Sequence, residues 1–320
     1  MPRVVEQLET SRDAAQRGML RAEDHTPVGP PPSITQWGVG RRWMGRNTWL
    51  LLTAPAVVFM LVAFGYPLVR VLLLSAFDPG FTTTHYREMI ENQAYARVLI
   101  NTFQISIVVT LLSLLLGYPV AYVLSQLRGI PASVLVAGVV MPLWTSELVR
   151  SFAWTILLGR QGPVNELLER AGIIERPLAL LFNATAVYIG TTHIMLPFMI
   201  LPLYSIMRNI DRRLVQAALS MGATPISAFR HVFLPLSMPG VVSGCLLVFV
   251  LATGFFITPS ILGNPHQTMI AMLIETEARR SLNWGMASAL AVALLALTAV
   301  ILAIYDRIFG LDRLHVGGAQ

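Results

Sequence analysis

Residues 215–240 read VQAALSMGATPISAFRHVFLPLSMPG and lie between two long apolar runs. Just before them, Asp211 is placed to cap a helix, and Gly222 stands where helices often end in a left-handed residue. Thr224, followed by a proline, is a favourable start for a second helix, which Pro235 is expected to end. The stretch therefore predicts a helix, a glycine turn and a second helix on a membrane surface.

Each predicted helix has one apolar face, because its apolar residues recur at three- and four-residue spacing. The faces consist of Leu214, Ala217, Ala218 and Met221 in the first helix and Ile226, Phe229, Val232 and Phe233 in the second. Two environments suit such a face. It can lie in the lipid headgroups as an anchor, or it can dock into a groove of a partner protein.

The composition points to a chain whose main solvent is lipid. Of its 320 residues, 55% are hydrophobic and 12% are charged, and the mean hydropathy is +0.63. A soluble domain carries about 25% charged residues. The sequence contains no lysine, so the lysine of a P-loop is missing and a standard ATPase site is excluded.

Charge and cysteine usage exclude other classes of site. The net charge is +6, but the arginines do not cluster with interleaved aromatic residues, which argues against a nucleic-acid partner. Cys245 is the single cysteine, so an internal disulfide and a cysteine-based zinc site are excluded. We expect no catalytic residue, cofactor or metal site in this chain.

Six apolar runs approach the roughly 20 residues that a helix needs to cross a bilayer. They are Thr48–Leu74, Ile100–Leu124, Ser133–Leu158, Ala184–Ile206, Val241–Leu262 and Met286–Phe309. The fold class is therefore an all-α integral membrane protein with six transmembrane helices. Arginines before the first run and after even-numbered runs place both termini in the cytoplasm by the positive-inside rule.

The loop resembles the EAA signature of the permease subunits of ABC importers. That pattern is Glu-Ala-Ala, three residues, Gly, nine residues, Ile, one residue and Leu-Pro. The matching positions here are Gln216, Ala217, Ala218, Gly222, Val232, Leu234 and Pro235. Gln216 replaces the glutamate and removes a charge, whereas Val232 in place of isoleucine is conservative.

Three further stretches are similar to the spermidine/putrescine branch of this family. They are LGYPVAYVL (116–124), LWTSELVRSFAWTILLGRQGPVNELL (143–168) and GFFITPSILGNPHQTMIAMLI (254–274). The resemblance implies the type I importer permease fold with a coupling helix that sits in a cleft of an ATPase subunit. Gln216, Ala217, Ala218, Gly222, Phe229, Leu234 and Pro235 would form the coupling contact.

The resemblance also implies the organisation of the chain and its partners. The resemblance covers roughly residues 50–310, with a first span and its outer loop at 48–94 and a permease core at 95–309 that includes the coupling loop at 207–239. From its polar, arginine-rich composition, we expect 1–47 to be a disordered cytoplasmic tail, and 310–320 a second cytoplasmic tail. The partners would be a second permease protomer, an ABC ATPase dimer, a solute-binding protein and the bilayer of the bacterial inner membrane.

A few polar residues inside the runs are candidates for a substrate path. Glu147 and Arg150 are spaced to pair on one helix face, or Glu147 faces a path for a polycation such as a polyamine. Trp144 offers an aromatic face to an ammonium group or belongs to the interfacial belt. Thr253 and Thr258 either line the path or form hydrogen bonds between helices.

Two other function classes remain open from the sequence alone. An ion-coupled secondary transporter would need paired intramembrane acids, for which Glu147 is the one candidate. An intramembrane enzyme would need a motif such as G-x-S-x-G or H-E-x-x-H, and the sequence has neither. The solute itself is open, and a polyamine is the expectation.

Overall fold

The computed structural model describes residues 46–78 and 80–309, with the backbone alone at 46–52 and 308–309. Every regular element in these residues is helical. The α-helices are α1 (Arg46–Met60), α2 (Tyr66–Phe77), α3 (Thr84–Glu91), α4 (Gln93–Gln126), α5 (Ile130–Val140), α6 (Glu147–Leu157), α7 (Pro163–Arg170), α8 (Ala184–Asn209), α9 (Arg212–Ser220), α10 (Pro225–Ala228), α11 (Leu234–Thr253), α12 (Ile257–Leu262), α13 (Ile270–Arg279) and α14 (Trp284–Phe309). Most of both predicted tails lies outside the described residues.

Five helical segments are long and apolar enough to cross a membrane, and a sixth span is possible as a bent pair. The five are Thr53–Phe77, Gln93–Gln126, Ala184–Asn209, Pro225–Thr253 and Trp284–Arg307. Contacts divide the chain into one compact unit that ends at Tyr66 and a second that begins at Pro67. The packing and sites described below all belong to the second unit.

The predicted third span is not a straight helix. The segment Ile130–Trp144 meets α6 at an angle of 97°, with the break at Thr145 and Ser146. Pro142 removes a backbone donor before the break, and the 3₁₀ turn Met141–Trp144 ends the first half. Sequence reasoning counted the run as one span because its length suits a crossing helix, although the second half carries Glu147, Arg150 and Ser151 and is the more polar of the two.

Both predicted bounds of the fifth span, Val241–Leu262, also differ from the structure. The helical segment runs from Pro225 to Thr253 and then breaks at Gly254, before the short helix α12. Its first half therefore belongs to the stretch that sequence reasoning assigned to a surface loop.

The core of the second unit is formed by α4, α8 and α11, which pack against one another. On α11, Gly240 and Gly244 let the backbone come close to α8, in the manner of the small-xxx-small pattern. A Cβ atom on Gly244 would lie 2.9 Å from the Sδ of Met199, and one on Gly240 would lie 3.2 Å from the Cα of Leu203. Close packing of α8 and α11 therefore depends on these two glycines.

Candidate functional site

The loop between α8 and α11 has the predicted helix–turn–helix form. The Asp211 side chain caps α9 by accepting a hydrogen bond from the backbone N–H of Arg213 at 2.9 Å. Gly222 has φ +90°, a left-handed conformation that glycine adopts without strain, and α9 ends before it. Thr224 caps the second helix by accepting from the backbone N–H of Ser227 at 3.3 Å.

The second helix does not end at Pro235, contrary to the sequence prediction. A π turn at Phe229–Phe233 joins α10 directly to α11, and the N–H of Leu234 donates to the carbonyl of Phe229. This wider turn ends at Phe233, two positions before Pro235, which lies in the first turn of α11 where a proline is tolerated. The loop is thus continuous with a core helix.

The aromatic residues of the second helix face the protein interior. The Phe233 ring lies 5.0 Å from Tyr122 in an edge-on arrangement, and the Phe229 ring lies 5.6 Å from Tyr122 and 6.3 Å from Tyr118. Phe233 is buried and Phe229 is half-buried. The expectation that these two rings supply an outward apolar surface is therefore corrected: they attach the loop to α4.

Sequence reasoning missed the partners of this attachment. Tyr118 and Tyr122 are four residues apart on one face of α4, a spacing that marks them as a pair. The Tyr118 hydroxyl lies 2.9 Å from the Oγ of Ser237 on α11, and Arg212 donates to the carbonyl of Ser125 at 2.6 Å. The end of α4 is thus bound to both halves of the loop.

A different set of apolar side chains points outward, and we call it the loop face. It comprises Leu214 (50% exposed), Ala217 (exposed), Met221 (88%) and Ile226 (79%). Of the EAA-like positions, Gln216, Gly222 and Pro235 are also exposed, while Ala218 and Leu234 are half-buried. Large apolar side chains so exposed on an ordered, capped loop indicate a surface for interaction.

Glu147 and Arg150, which the sequence offered as an ion pair or as a carboxylate facing a path, are not within 4.0 Å of each other as a salt bridge in the described residues. Glu147 is the first residue of α6, where the helix dipole favours a carboxylate. Its Oε1 atom is buried without a hydrogen-bond partner among the described residues, as are Nε and Nη1 of Arg150. Trp144, at the end of the preceding 3₁₀ turn, is 88% exposed. The break in the third span therefore carries unsatisfied polar atoms beside an exposed indole.

Thr253 and Thr258 form contacts between helices. Thr258 is fully buried, and its hydroxyl lies 2.8 Å from the Oγ of Ser151 on α6. Thr253 is 1% exposed and donates its hydroxyl proton to the carbonyl of Phe249 at 2.7 Å, and its oxygen lies 3.3 Å from the Oγ of Ser106 on α4. Of the two alternatives drawn from the sequence, these contacts match hydrogen bonding between helices.

A groove that the sequence did not indicate lies between α5 and α8. Its volume is about 1060 Å³, and small apolar residues of α5 form most of its wall. Trp144 lies in the wall, as do Tyr204 and Arg208, whose guanidinium donates to the Tyr204 hydroxyl at 2.7 Å. The groove thus connects the break in the third span with the end of α8 that leads into the loop.

Known proteins match most of the chain. Residues 36–311 match the family described as binding-protein-dependent transport system inner membrane component. The spermidine/putrescine transport system permease protein PotB of Haemophilus influenzae is 38% identical over 68% of this chain and 76% of that protein. PotB of Escherichia coli is 33% identical over 71% of this chain and 82% of that protein.

Two further matches extend over more of the chain. The inner membrane ABC transporter permease protein YdcU of Escherichia coli is 30% identical over 84% of this chain and 92% of that protein. A crystal structure of a bacterial ABC transporter involved in the import of the acidic polysaccharide alginate contains a chain that matches with a TM-score of 0.68 at 18% identity. That match covers 82% of this chain and 95% of the other, and it shows the shared fold.

Proposed function

The chain belongs to the family of binding-protein-dependent transport system inner membrane components, and from this premise we propose that it forms the membrane path for a small polyamine. It is a multi-pass inner-membrane transport subunit. A separate ATPase would drive it, because the sequence lacks the lysine of a P-loop. Family membership supports this importer over the ion-coupled secondary transporter that the sequence left open.

The proposed contact with the ATPase rests on one observation, the exposure of the loop face. Met221 and Ile226 are 88% and 79% exposed on a loop that is capped at both helices and continuous with α11. An amphipathic helix that lays its apolar side into a groove is a common recognition mode. Gln216, Ala217 and Gly222 are exposed at this contact, whereas Phe229 would act from inside by holding the loop to α4.

The complete transporter would contain a second permease protomer, two copies of the ATPase and a solute-binding protein. The ATPase would bind at the loop face and the binding protein at the opposite end of α8. Under this arrangement both termini would lie in the cytoplasm, as the positive-inside rule indicates. It also requires two membrane arrangements that the ATPase distinguishes by different contacts, because a ligand shifts an equilibrium only through differential affinity.

The polyamine assignment rests on two supports. The PotB proteins, 33–38% identical to this chain, are named as spermidine/putrescine permeases. Glu147 has a buried carboxylate oxygen without a partner at the break in the third span, and the exposed indole of Trp144 lies three residues before it. A carboxylate and an aromatic face are the groups that a polycation with ammonium ends requires.

Uptake by the reconstituted transporter tests this function. Vesicles that contain the complete transporter and its binding protein should import radiolabelled spermidine when ATP is supplied. Glu147→Gln keeps the shape of the side chain and removes its charge, and we expect uptake to fall roughly tenfold, equivalent to about 1.4 kcal/mol. The control is Glu91→Gln, which removes an exposed carboxylate that pairs with Arg87.

The outcomes separate the two parts of the proposal. If the binding protein stimulates ATP hydrolysis but spermidine is not taken up, the polyamine assignment is rejected and the importer assignment is retained. Spermidine uptake that is equal in wild type and Glu147→Gln would retain the polyamine and remove Glu147 from its path.

A further inference from the structure

The groove between α5 and α8 has the length of one leaflet of a bilayer. It follows α5 from Gly129 to Trp144, and α5 itself has 11 residues and is about 16 Å long. The hydrocarbon layer of a bilayer is roughly 30 Å thick, so this length is close to half of it. The groove therefore ends near the middle of the membrane, at the bend in the third span.

The other end of the groove lies on the side of the membrane that carries the loop face. Gly129 follows the end of α4, where the carbonyl of Ser125 accepts a hydrogen bond from Arg212 at the start of α9. Arg208 also lines the groove and lies one residue before the end of α8, which leads into α9. We call this end the mouth of the groove.

The wall of the groove is apolar and built from small residues. A Cβ atom on Gly138 would meet nothing within 4 Å, and Ser133 and Ala137 lie on the same wall. Val134 and Met141, which also line the groove, are 63% and 71% exposed. Apolar surface of this kind in a membrane-spanning segment is suited to contact with hydrocarbon.

Positive charge is concentrated at the mouth. Nη1 of Arg208 donates to the Tyr204 hydroxyl at 2.7 Å, and its guanidinium carbon lies 5.7 Å from the centroid of the Tyr204 ring. This contact uses one of the five N–H donors of a guanidinium and holds the exposed Arg208 against the wall. Arg128, directly before Gly129, and Arg212 are two more exposed arginines at this end. Among the described residues, no acidic side chain lines the groove.

This distribution of charge distinguishes between the possible occupants. Three arginines at the mouth repel a polycation, so the groove is unsuited to the solute of the proposed function. A membrane helix of a neighbouring subunit would suit Gly129, Ser133 and Ala137, which are small and four residues apart, but such a helix crosses the whole bilayer and the groove stops at the bend. A phospholipid of one leaflet fits both the length and the charge, because basic pockets between membrane helices bind anionic headgroups.

We propose that the groove binds an anionic phospholipid of the leaflet on the side of the loop face, with one acyl chain along α5 and its phosphate at Arg208. A guanidinium binds a phosphate through two parallel hydrogen bonds. The end of the acyl chain contacts Trp144, which is 88% exposed at the bend. This inference goes beyond the proposed function and does not depend on which solute is carried.

Photo-labelling of the complete transporter in lipid nanodiscs tests the site. The probes are phosphatidylglycerol and phosphatidylcholine, each with a diazirine near the end of one acyl chain. Because the chain contains no lysine, trypsin cuts after Arg128 and Arg150 and releases the wall of the groove as one peptide, 129–150. We expect both probes to label this peptide, and phosphatidylglycerol to label it more strongly.

Two substitutions distinguish a lipid bound in the groove from the lipid that surrounds the protein. Gly138→Leu fills the groove without a collision at its Cβ atom, so labelling of the peptide should be mostly lost while the melting temperature stays at the wild-type value. Arg208→Gln should lower the preference for phosphatidylglycerol over phosphatidylcholine roughly fivefold, since one arginine near a membrane surface strengthens its attraction for anionic lipid by about that factor.

The matched controls lie on α14 in the same leaflet. α14 begins beside α3, where Gly285 lies against His85, and α3 precedes α4, so the other end of α14 is on the side of the loop face. Ala303→Leu enlarges an exposed alanine near that end, and Arg307→Gln removes an exposed arginine. Neither variant should change the labelling of the peptide 129–150 by either probe.

Four results would overturn the lipid site. The first is a wild-type peptide that neither probe labels, and the second is equal labelling by the two probes, since the arginines would then not select the headgroup. The third is labelling that Gly138→Leu does not reduce, because the label would then come from surrounding lipid only. The fourth comes from a photo-crosslinker at position 137, introduced as Ala137→Cys with Cys245→Ala: capture of a neighbouring membrane subunit would make the groove an interface between proteins.

Discussion

Replacing Gly222 by valine should weaken the turn between α9 and α10 by a cost that arises in the backbone alone. Gly222 has φ +90°, and a Cβ atom built there meets nothing within 4 Å. The penalty is therefore conformational, about 1–3 kcal/mol for a non-glycine residue in such a region, and β-branched residues are the least tolerant. That range corresponds to a factor of roughly 5 to 150 in the population of the observed turn.

The assay compares valine with asparagine at the same position. Both add a side chain of similar size to open space, but asparagine adopts left-handed conformations several times more readily than most residues. In vesicles that contain the complete transporter, Gly222→Val should lower the number of solute molecules imported per ATP hydrolysed, and Gly222→Asn should retain most of the wild-type ratio. The amount of inserted protein should be equal, because the turn lies outside the spans.

Two results would refute the reasoning. A Gly222→Val transporter with the wild-type ratio of import to hydrolysis would show that the left-handed turn is not needed for coupling. Equal loss in the valine and asparagine variants would show that the added side chain obstructs the partner, so the effect would be steric and not conformational.

Two further predictions concern the packing of the core helices. Gly244→Leu should lower the free energy of unfolding in detergent by about 1–3 kcal/mol, because its side chain would collide with Met199 where α8 and α11 approach each other. The control is Gly254→Leu, which should have little effect because a Cβ atom there meets nothing within 4 Å. Equal losses in the two variants would contradict the packing argument. Thr258→Val and Ser151→Ala should show a coupling energy of about 0.6 kcal/mol in a double-mutant cycle, with uptake kept by each single variant; lost uptake at wild-type stability would return Thr258 to the substrate path.

The local chemistry of the loop was predictable because it depends on neighbouring residues. Asp211 and Thr224 cap their helices, and Gly222 adopts the left-handed turn, as their residue types and spacing indicate. The family followed from the same spacing. Of the apolar face predicted for the first helix, Leu214, Ala217 and Met221 are exposed and Ala218 is half-buried.

The errors come from features that tertiary contacts decide. Pro235 predicts a helix end. In the structure a π turn precedes the proline, and the helix continues through it into α11. Phe229 is apolar at helical spacing whether it faces a partner or its own α4, and only the position of Tyr122 distinguishes the two. The 97° bend of the third span is accompanied by a change from an evenly apolar half to an amphipathic one that begins at Glu147, but span length alone does not distinguish a bent pair from a straight helix.

The attachments of the loop show how a force on its surface would reach the membrane. The loop that carries the loop face continues from α8 at one end and into α11 at the other. Contacts with Tyr122 and Ser125 join this loop to α4. These three helices are also the mutually packed core, so they form one body that cannot change shape locally without losing buried contacts. We expect movement of the loop to move these three helices together within the second unit. We therefore expect the conformational change to be absorbed at the two breaks outside that body, the bend at 145–146 and the gap at 254–256, and not within the loop.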